Sequence, residues 1–231
     1  MKFQQFHSGS KGNLYEIEAN NSDKLIIDAG VSISRVKKAL KYDFRRVVGC
    51  LASHSHFDHT KAVKKLIKLG ISVHASRRTF FELGLNGDKC KVVQRNELVK
   101  LGAIEFRAFK TQHCPGSLGF IIKADNEYCL FATDTASLFD FPNFKFSIIA
   151  IECNYDNDIL QKRIYASKIN EVAVSRTLSH MEKQVTTDWL KRADLSNCRQ
   201  INLLHLSDSN IDKEQVAKEI NEMTFIETVV I

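Results

Sequence analysis

The stretch SHSHFDHT, residues 53–60, brings together His54, His56, Asp58 and His59. Neutral imidazoles and carboxylates are good donors to zinc, and also to manganese or iron. Side chains alternate along an extended segment, so histidines two apart project to the same side. His54 and His56 can therefore reach one ion together. Asp58 and His59, a step later, can reach a second ion beside it. The HxHxDH spacing is specific, and chance would produce it in very few chains of this length.

Other donors stand where chain elements end. His113 follows a strand in KTQHCPGSLG, His180 lies in LSHMEK between helices, and His205 closes the apolar run NLLHL. Asp134 follows YCLFAT and opens the turn DTAS. A carboxylate just past a buried strand is costly unless cations face it, so Asp134 is a candidate bridge between two ions. His74, inside ISVHA, reads instead as a structural histidine. His7 sits at a strand end near a Gly-rich turn. Cys114 and Cys153 lie near these motifs but read as core thiols.

The elements that must position these groups follow from the hydrophobic pattern. FQQF, LYEIEA and KLIIDA read as strands separated by turn-rich segments. VVGCLAS is a continuous apolar run, hence a buried strand ending at the histidine cluster. TKAVKKLIKLG places Ala62, Val63, Leu66 and Ile67 at helical spacing and closes on Gly70. The cluster therefore lies on a strand-to-helix loop, where α/β enzymes place chemistry. Further on, ISVHA, AIEFRAF, LGFIIKA, EYCLFAT, FSIIAIEC, QINLLHL and FIETVVI read as strands. SISRVKKALKY, SRRTFFELGL with a Ser cap, DILQKRIYASKINEVAVSRTL, EKQVTTDWLKRA and DKEQVAKEINEM read as helical. Sheets with helices between and after them imply an α/β layered fold.

The 231 residues fit one domain, 1–231, since no linker or composition shift marks a boundary. Hydrophobic content of 44% and charged content of 26% are globular values. The net charge of +6 is mildly basic and is compatible with an anionic substrate such as a phosphodiester. No run approaches the ~20 apolar residues of a membrane span, so no membrane role is expected. Six scattered cysteines without a CxxC pair, and no secretion signal, point to reduced thiols and a cytoplasmic protein.

At these residues the chain resembles the metallo-β-lactamase superfamily: SHSHFDH, then His113, Asp134 in ATDT, and His205 in LLHLS. HSGSKGN, LIIDAG, IECNYD, LSHMEK and HLSDSN also resemble one branch, the YycJ/WalJ-like hydrolases, often described as double-strand-DNA exonucleases. The resemblance implies an αββα sandwich of two mixed sheets flanked by helices. It implies two divalent metal ions, zinc or manganese. His54, His56, His113 and Asp134 would hold one ion; Asp58, His59, Asp134 and His205 would hold the other. Asp28 would support the metal loop without ligating. Glu152 and His180 resemble the Glu–His pair of the transfer-RNA 3′-processing ribonucleases. There the histidine meets the scissile phosphate and the glutamate orients it.

The expected function is a dinuclear phosphodiesterase using a metal-bridging hydroxide, a nuclease of the DNA-exonuclease type. Asp58, His180 and Glu152 are its expected catalytic residues. Ser207 and Asn210, with the turn Ser8–Asn13, are expected phosphate donors. The alternative keeps the chemistry and shrinks the substrate to 3′,5′-cyclic nucleotides, as in phage enzymes that destroy defence signals. Glyoxalase-like thioester hydrolysis and a non-catalytic binding module are further readings. The partner is a nucleic acid or nucleotide, and a homodimer is among the open assembly states.

Overall fold

A computed structural model describes all residues, 1–231. The strands fall into two mixed sheets of six and seven strands, with helices flanking them, which is the α/β class read from the sequence. The chain divides into two compact units: Met1–Lys110 with Cys114–Glu127 and Ile231, and Thr111–His113 with Tyr128–Val230.

The first unit opens with strands β1 (Lys2–His7), β2 (Leu14–Glu18) and β3 (Lys24–Ala29), then helix α1 (Ile33–Ala39) and strand β4 (Val47–Leu51). Next come α2 (Phe57–Thr60), α3 (Val63–Lys68), β5 (Val73–Ala75), α4 (Arg77–Leu83) and β6 (Cys90–Val92). β7 (Val99–Leu101), β8 (Ile104–Lys110) and β9 (Leu118–Ala124) complete it. The order β1-β2-β3-β4-β5-β6 runs antiparallel to β3 and parallel from there. β7, β8 and β9 pair antiparallel.

The helix caps are those the sequence supplies. Ser32 and Ser76 accept from the amides of Arg35 and Thr79 and so satisfy amides that a helix start leaves open. One face of the six-stranded sheet buries Leu14, Ile26, Cys50 and Val73 against Val36, Leu66 and Phe80 from the helices. On the other side, His74 of β5 packs edge-on against Phe106 of β8, with ring centres 5.6 Å apart. His74 thus packs as a buried side chain, 5% exposed.

The second unit holds β10 (Glu127–Ala132) from Tyr128 on, β11 (Ile148–Glu152), α5 (Asn157–Tyr165), α6 (Glu171–Thr177) and α7 (Lys183–Arg192). β12 (Gln200–Leu204), α8 (Lys213–Thr224) and β13 (Glu227–Val229) follow. β10, β11, β12 and β13 are parallel neighbours, and the apolar runs CLFA of β10 and IIAI of β11 are fully buried, as in strands covered on both faces. The register Ala132↔Ile151 and Glu152↔Leu204 brings the ends of β10, β11 and β12 to one edge. Parallel strands place ligand sites at such C-terminal ends.

Two short strands, β6 and β7, are absent from the sequence reading. Each has three residues, too few for an alternating pattern to register. The run 158–178 is two helices, because Ser167 turns left-handed at φ 53° and Asn170 caps a new start. No helix is long and apolar enough to cross a membrane.

Candidate metal-binding groups

In the first unit, parallel pairing of β3 with β4 sets Asp28 beside Ser53, just before the histidine motif. Asp28 Oδ1 accepts from the Ser53 amide at 2.8 Å, and Oδ2 from the Ser53 hydroxyl at 2.9 Å. Oδ2 also lies 2.7 Å from His59 Nδ1. A carboxylate on Nδ1 fixes the proton there and leaves Nε2 as the lone-pair donor. Ser53 Oγ does the same for His54, at 3.0 Å from its Nδ1.

The motif itself is split between two conformations. Ser53–His56 is non-helical, and Phe57 starts α2. His54 Nε2 and His56 Nδ1 converge to 3.0 Å. Asp58 and His59 stand in the first turn of α2, with Asp58 Oδ2 3.5 Å from His59 Nε2. Asn13 backs them: its amide nitrogen lies 3.2 Å from the Asp58 carbonyl and 3.0 Å from His59 Nε2. Gly30 permits this closeness. A methyl group there would lie 1.5 Å from the Asp58 carbonyl oxygen.

In the second unit, Asp134, Glu152, His180 and His205 offer donor atoms that all lie within 4.8 Å of one another. Asp134 Oδ2 is 3.6 Å from His113 Nε2, and Oδ1 is 3.8 Å from His205 Nε2. Glu152 Oε1 lies 2.7 Å from His180 Nδ1 and 3.4 Å from His205 Nδ1, and Oε2 accepts from the Thr135 amide at 2.6 Å. The Asn154 amide donates to the His205 carbonyl at 2.6 Å.

Burial pushes the Glu152 carboxyl up, but the His180 charge and hydrogen bond outweigh it and hold Glu152 below the usual carboxylate range. Burial pushes His180 down, and Glu152 more than reverses this, so His180 stands above the ordinary imidazole value. Each partner thus favours the charged form of the other.

Three of these groups have backbones in the left-handed region that favours glycine: Asp28 (φ 55°), Asp134 (φ 45°) and His205 (φ 54°). All three lie at strand ends. Such conformations cost about 1–3 kcal/mol each and persist where the surroundings impose them.

These donor sets fit divalent cations. Donors about 2.0–2.1 Å from a tetrahedral zinc stand about 3.4 Å apart. The Asp58–His59, Asp134–His113 and Asp134–His205 separations of 3.5, 3.6 and 3.8 Å approach that spacing and exceed hydrogen-bond length. Two buried carboxylates, Asp134 and Glu152, also require positive charge nearby.

The structure thus gathers His54, His56, Asp58 and His59 in the first unit. It gathers His113, Asp134, Glu152, His180 and His205 in the second. It does not bring Ser207 or Asn210 into either group. Asn210 is buried, and its side chain bonds Thr177 Oγ1 and Arg163. The Ser207 hydroxyl accepts from the Ser209 amide within the turn after β12. Asn13 likewise spends its amide on the Gly9 and Asp58 carbonyls as well as on His59. The supporting roles of Ser53, Thr135 and Asn154 carried no sequence signal, because they depend on partners brought close by strand pairing.

The family model for the metallo-beta-lactamase superfamily matches residues 8–197. No curated protein matches the chain. Among solved structures, the metallo-beta-lactamase fold protein YhfI from Bacillus subtilis superposes with a TM-score of 0.75 at 14% identity, over 98% of this chain and 94% of that one. Igni18, a metallo hydrolase from Ignicoccus hospitalis, gives 0.70 at 13% identity, over 98% and 94%. Zinc-bound PqqB from Methylobacterium extorquens gives 0.68 at 12% identity, over 94% and 84%. At these identities the likeness is one of fold.

Proposed function

The chain belongs to the metallo-beta-lactamase superfamily, and from that premise we propose that it is a dinuclear metal-dependent phosphodiesterase acting on nucleic acid, an exonuclease-type enzyme of the YycJ/WalJ-like branch. The observation that supports this reading most is the buried hydrogen-bonded pair of Glu152 and His180, 2.7 Å apart, with His180 Nδ1 3.9 Å from Asp134 Oδ2. Hydrolysis of a phosphodiester needs charge on the phosphorane met and a proton given to the leaving oxygen. With Nδ1 turned to Glu152, His180 has Nε2–H to offer to that oxygen. Glu152 fixes the ring and favours its protonated form.

The family pattern assigns His54, His56, His113 and Asp134 to one ion and Asp58, His59, Asp134 and His205 to the other. Divalent ions in such a centre lower the pKa of water and draw charge from a phosphate oxygen. Asp28 and Ser53 orient His59 and His54 for that task, and Asn154 holds the His205 backbone. The neighbouring zinc-bound PqqB supports zinc as the metal, and manganese suits the carboxylates equally.

The surface beside the motif supports a polymeric anion. Phe57, between His56 and Asp58, is 69% exposed, and Lys61 Nζ lies 5.3 Å from its ring centre. Lys64, Lys65 and Lys68 on α3 are exposed as well. An exposed aromatic ring with cations around it is the stacking and charge pattern that suits a nucleic-acid strand.

Incubation of the zinc- or manganese-loaded protein with linear duplex DNA, RNA and 3′,5′-cyclic mononucleotides tests the reading. Release of nucleotides from DNA is expected. Turnover of the cyclic substrates alone would replace the nuclease reading with the small-substrate one.

A further inference from the structure

The turn that follows His113 places a thiol beside the histidine motif. Cys114, Pro115, Gly116 and Ser117 form it, with the Ser117 amide donating to the Cys114 carbonyl at 3.1 Å. Two contacts hold it in place. The Leu118 amide donates to the Ser53 carbonyl at 2.9 Å, which pins the start of β9 to the residue preceding His54. Gly116, at φ +88°, lies against the start of α4, where a methyl group would meet Arg78 Cβ at 2.6 Å and Ser76 Oγ at 2.7 Å. The backbone that carries the thiol is therefore fixed.

Cys114 Sγ and one ring nitrogen each of His54 and His56 all lie within 4.8 Å of one another. Cys114 is half-buried and forms no disulfide. The other cysteines lie elsewhere. Cys50, Cys129 and Cys153 are fully buried within the strands or just past them, and burial pushes the Cys50 and Cys153 thiols up, Cys153 to about 12. Cys114 is the cysteine grouped with ligand-type nitrogens. The sequence reading of it as a core thiol does not describe this placement.

We propose that Cys114 is a metal donor, supplying a thiolate to the ion held by His54 and His56. This rests on the reading that these two histidines hold an ion. A short movement of the side chain suffices, because the three donor atoms already lie within 4.8 Å of one another. On binding, the S–H bond breaks, the proton passes to solvent, and sulfur donates a lone pair to the cation with no change of oxidation state. A thiolate beside two imidazoles makes this position soft. It selects zinc or cobalt over manganese, whereas a site of imidazoles and carboxylates alone accepts either.

Cobalt(II) titration of the metal-free full-length protein tests this. A thiolate-to-cobalt charge-transfer band in the near ultraviolet is expected with the first equivalent, and its loss in Cys114→Ser but not in Cys90→Ser. Zinc affinity, measured by chelator competition, is expected to fall at least about tenfold in Cys114→Ser, since removing even an indirect support costs about that much. Stoichiometric zinc is expected to slow iodoacetamide labelling of the Cys114 peptide, while manganese does not. A wild-type protein that binds cobalt without the band, or a Cys114→Ser protein with unchanged zinc affinity, overturns the assignment and leaves the histidine site standing. Failure of the wild type to bind zinc or cobalt at all overturns both.

Discussion

Glu152 Oε1 and His180 Nδ1 lie 2.7 Å apart, and neither side chain exceeds 9% exposure. A buried carboxylate beside a buried imidazole favours the charged form of each, and the pair stands at the edge where the parallel strands end. A proton donor at the leaving oxygen contributes typically about 10²–10⁴-fold. His180→Ala is therefore expected to lower kcat by about that factor. KM and metal content by elemental analysis should change little. Loss of bound metal in this variant would make His180 a structural support instead. Glu152→Gln should show a kcat loss of the same kind.

Asp28 acts through His59. Its Oδ2 lies 2.7 Å from His59 Nδ1 and also accepts from the Ser53 hydroxyl, which faces His54. Outer partners of metal-binding histidines contribute about 10–100-fold in affinity. Asp28→Ala is expected to weaken zinc binding by about that factor in chelator competition. Unaltered affinity would show that the histidine rings are oriented by other groups.

Gly30 is where the chain approaches the motif most closely. A Cβ atom at 1.5 Å from the Asp58 carbonyl cannot be accommodated without moving α2. The Gly30 amide also donates to the Asn13 carbonyl at 2.8 Å, and the Asn13 amide to the Asp58 carbonyl at 2.8 Å, so a shift propagates. Overpacking costs typically about 1–3 kcal/mol and sometimes more. Gly30→Ala should destabilise by about 3 kcal/mol in urea unfolding and weaken metal binding at Asp58 and His59. Wild-type stability in Gly30→Ala would contradict the packing described.

His74 gives a pH signature away from the candidate metal donors. Burial, with a smaller contribution from the Lys91 charge, lowers its pKa from 6.5 to about 4. The folded state thus binds the proton more weakly than the unfolded chain. Stability from this group is full above about pH 6.5 and is lost as the pH falls towards about 4. The whole effect is about 3 kcal/mol, taking 1.36 kcal/mol per unit. His74 Nε2 is also buried without a hydrogen-bond partner. In His74→Gln, the drop in unfolding free energy between pH 7 and pH 4 is expected to be smaller than in wild type by a large part of that amount. Parallel pH curves for the two proteins would contradict it.

The sequence made the donors legible to different degrees. The motif 54–59 was visible because its residue types are rare together, and His113, Asp134 and His205 because each stands at or just past the end of a strand-like run. Strand ends are marked in sequence, so the edge where Asp134, Glu152 and His205 meet could be read before the register was known. Ser207 and Asn210 were read from their nearness to His205. Direction along a turn is not encoded by nearness, and Asn210 faces Thr177 and Arg163 instead. Asn13 and His59 are 46 positions apart, so their contact exists only after β2, β3 and β4 have paired. The left-handed backbones of Asp28, Asp134 and His205 were equally hidden, since none is a glycine.

The central claim is phosphodiester hydrolysis by a metal centre with His180 as its proton donor. Its most direct measurement is nucleotide release from linear duplex DNA by the zinc- or manganese-loaded protein, compared with His180→Ala and with chelated protein. Turnover by the loaded wild type is predicted, with strong loss in the variant and abolition by chelation. A fully metal-loaded wild type that leaves DNA, RNA and cyclic nucleotides all intact would contradict it.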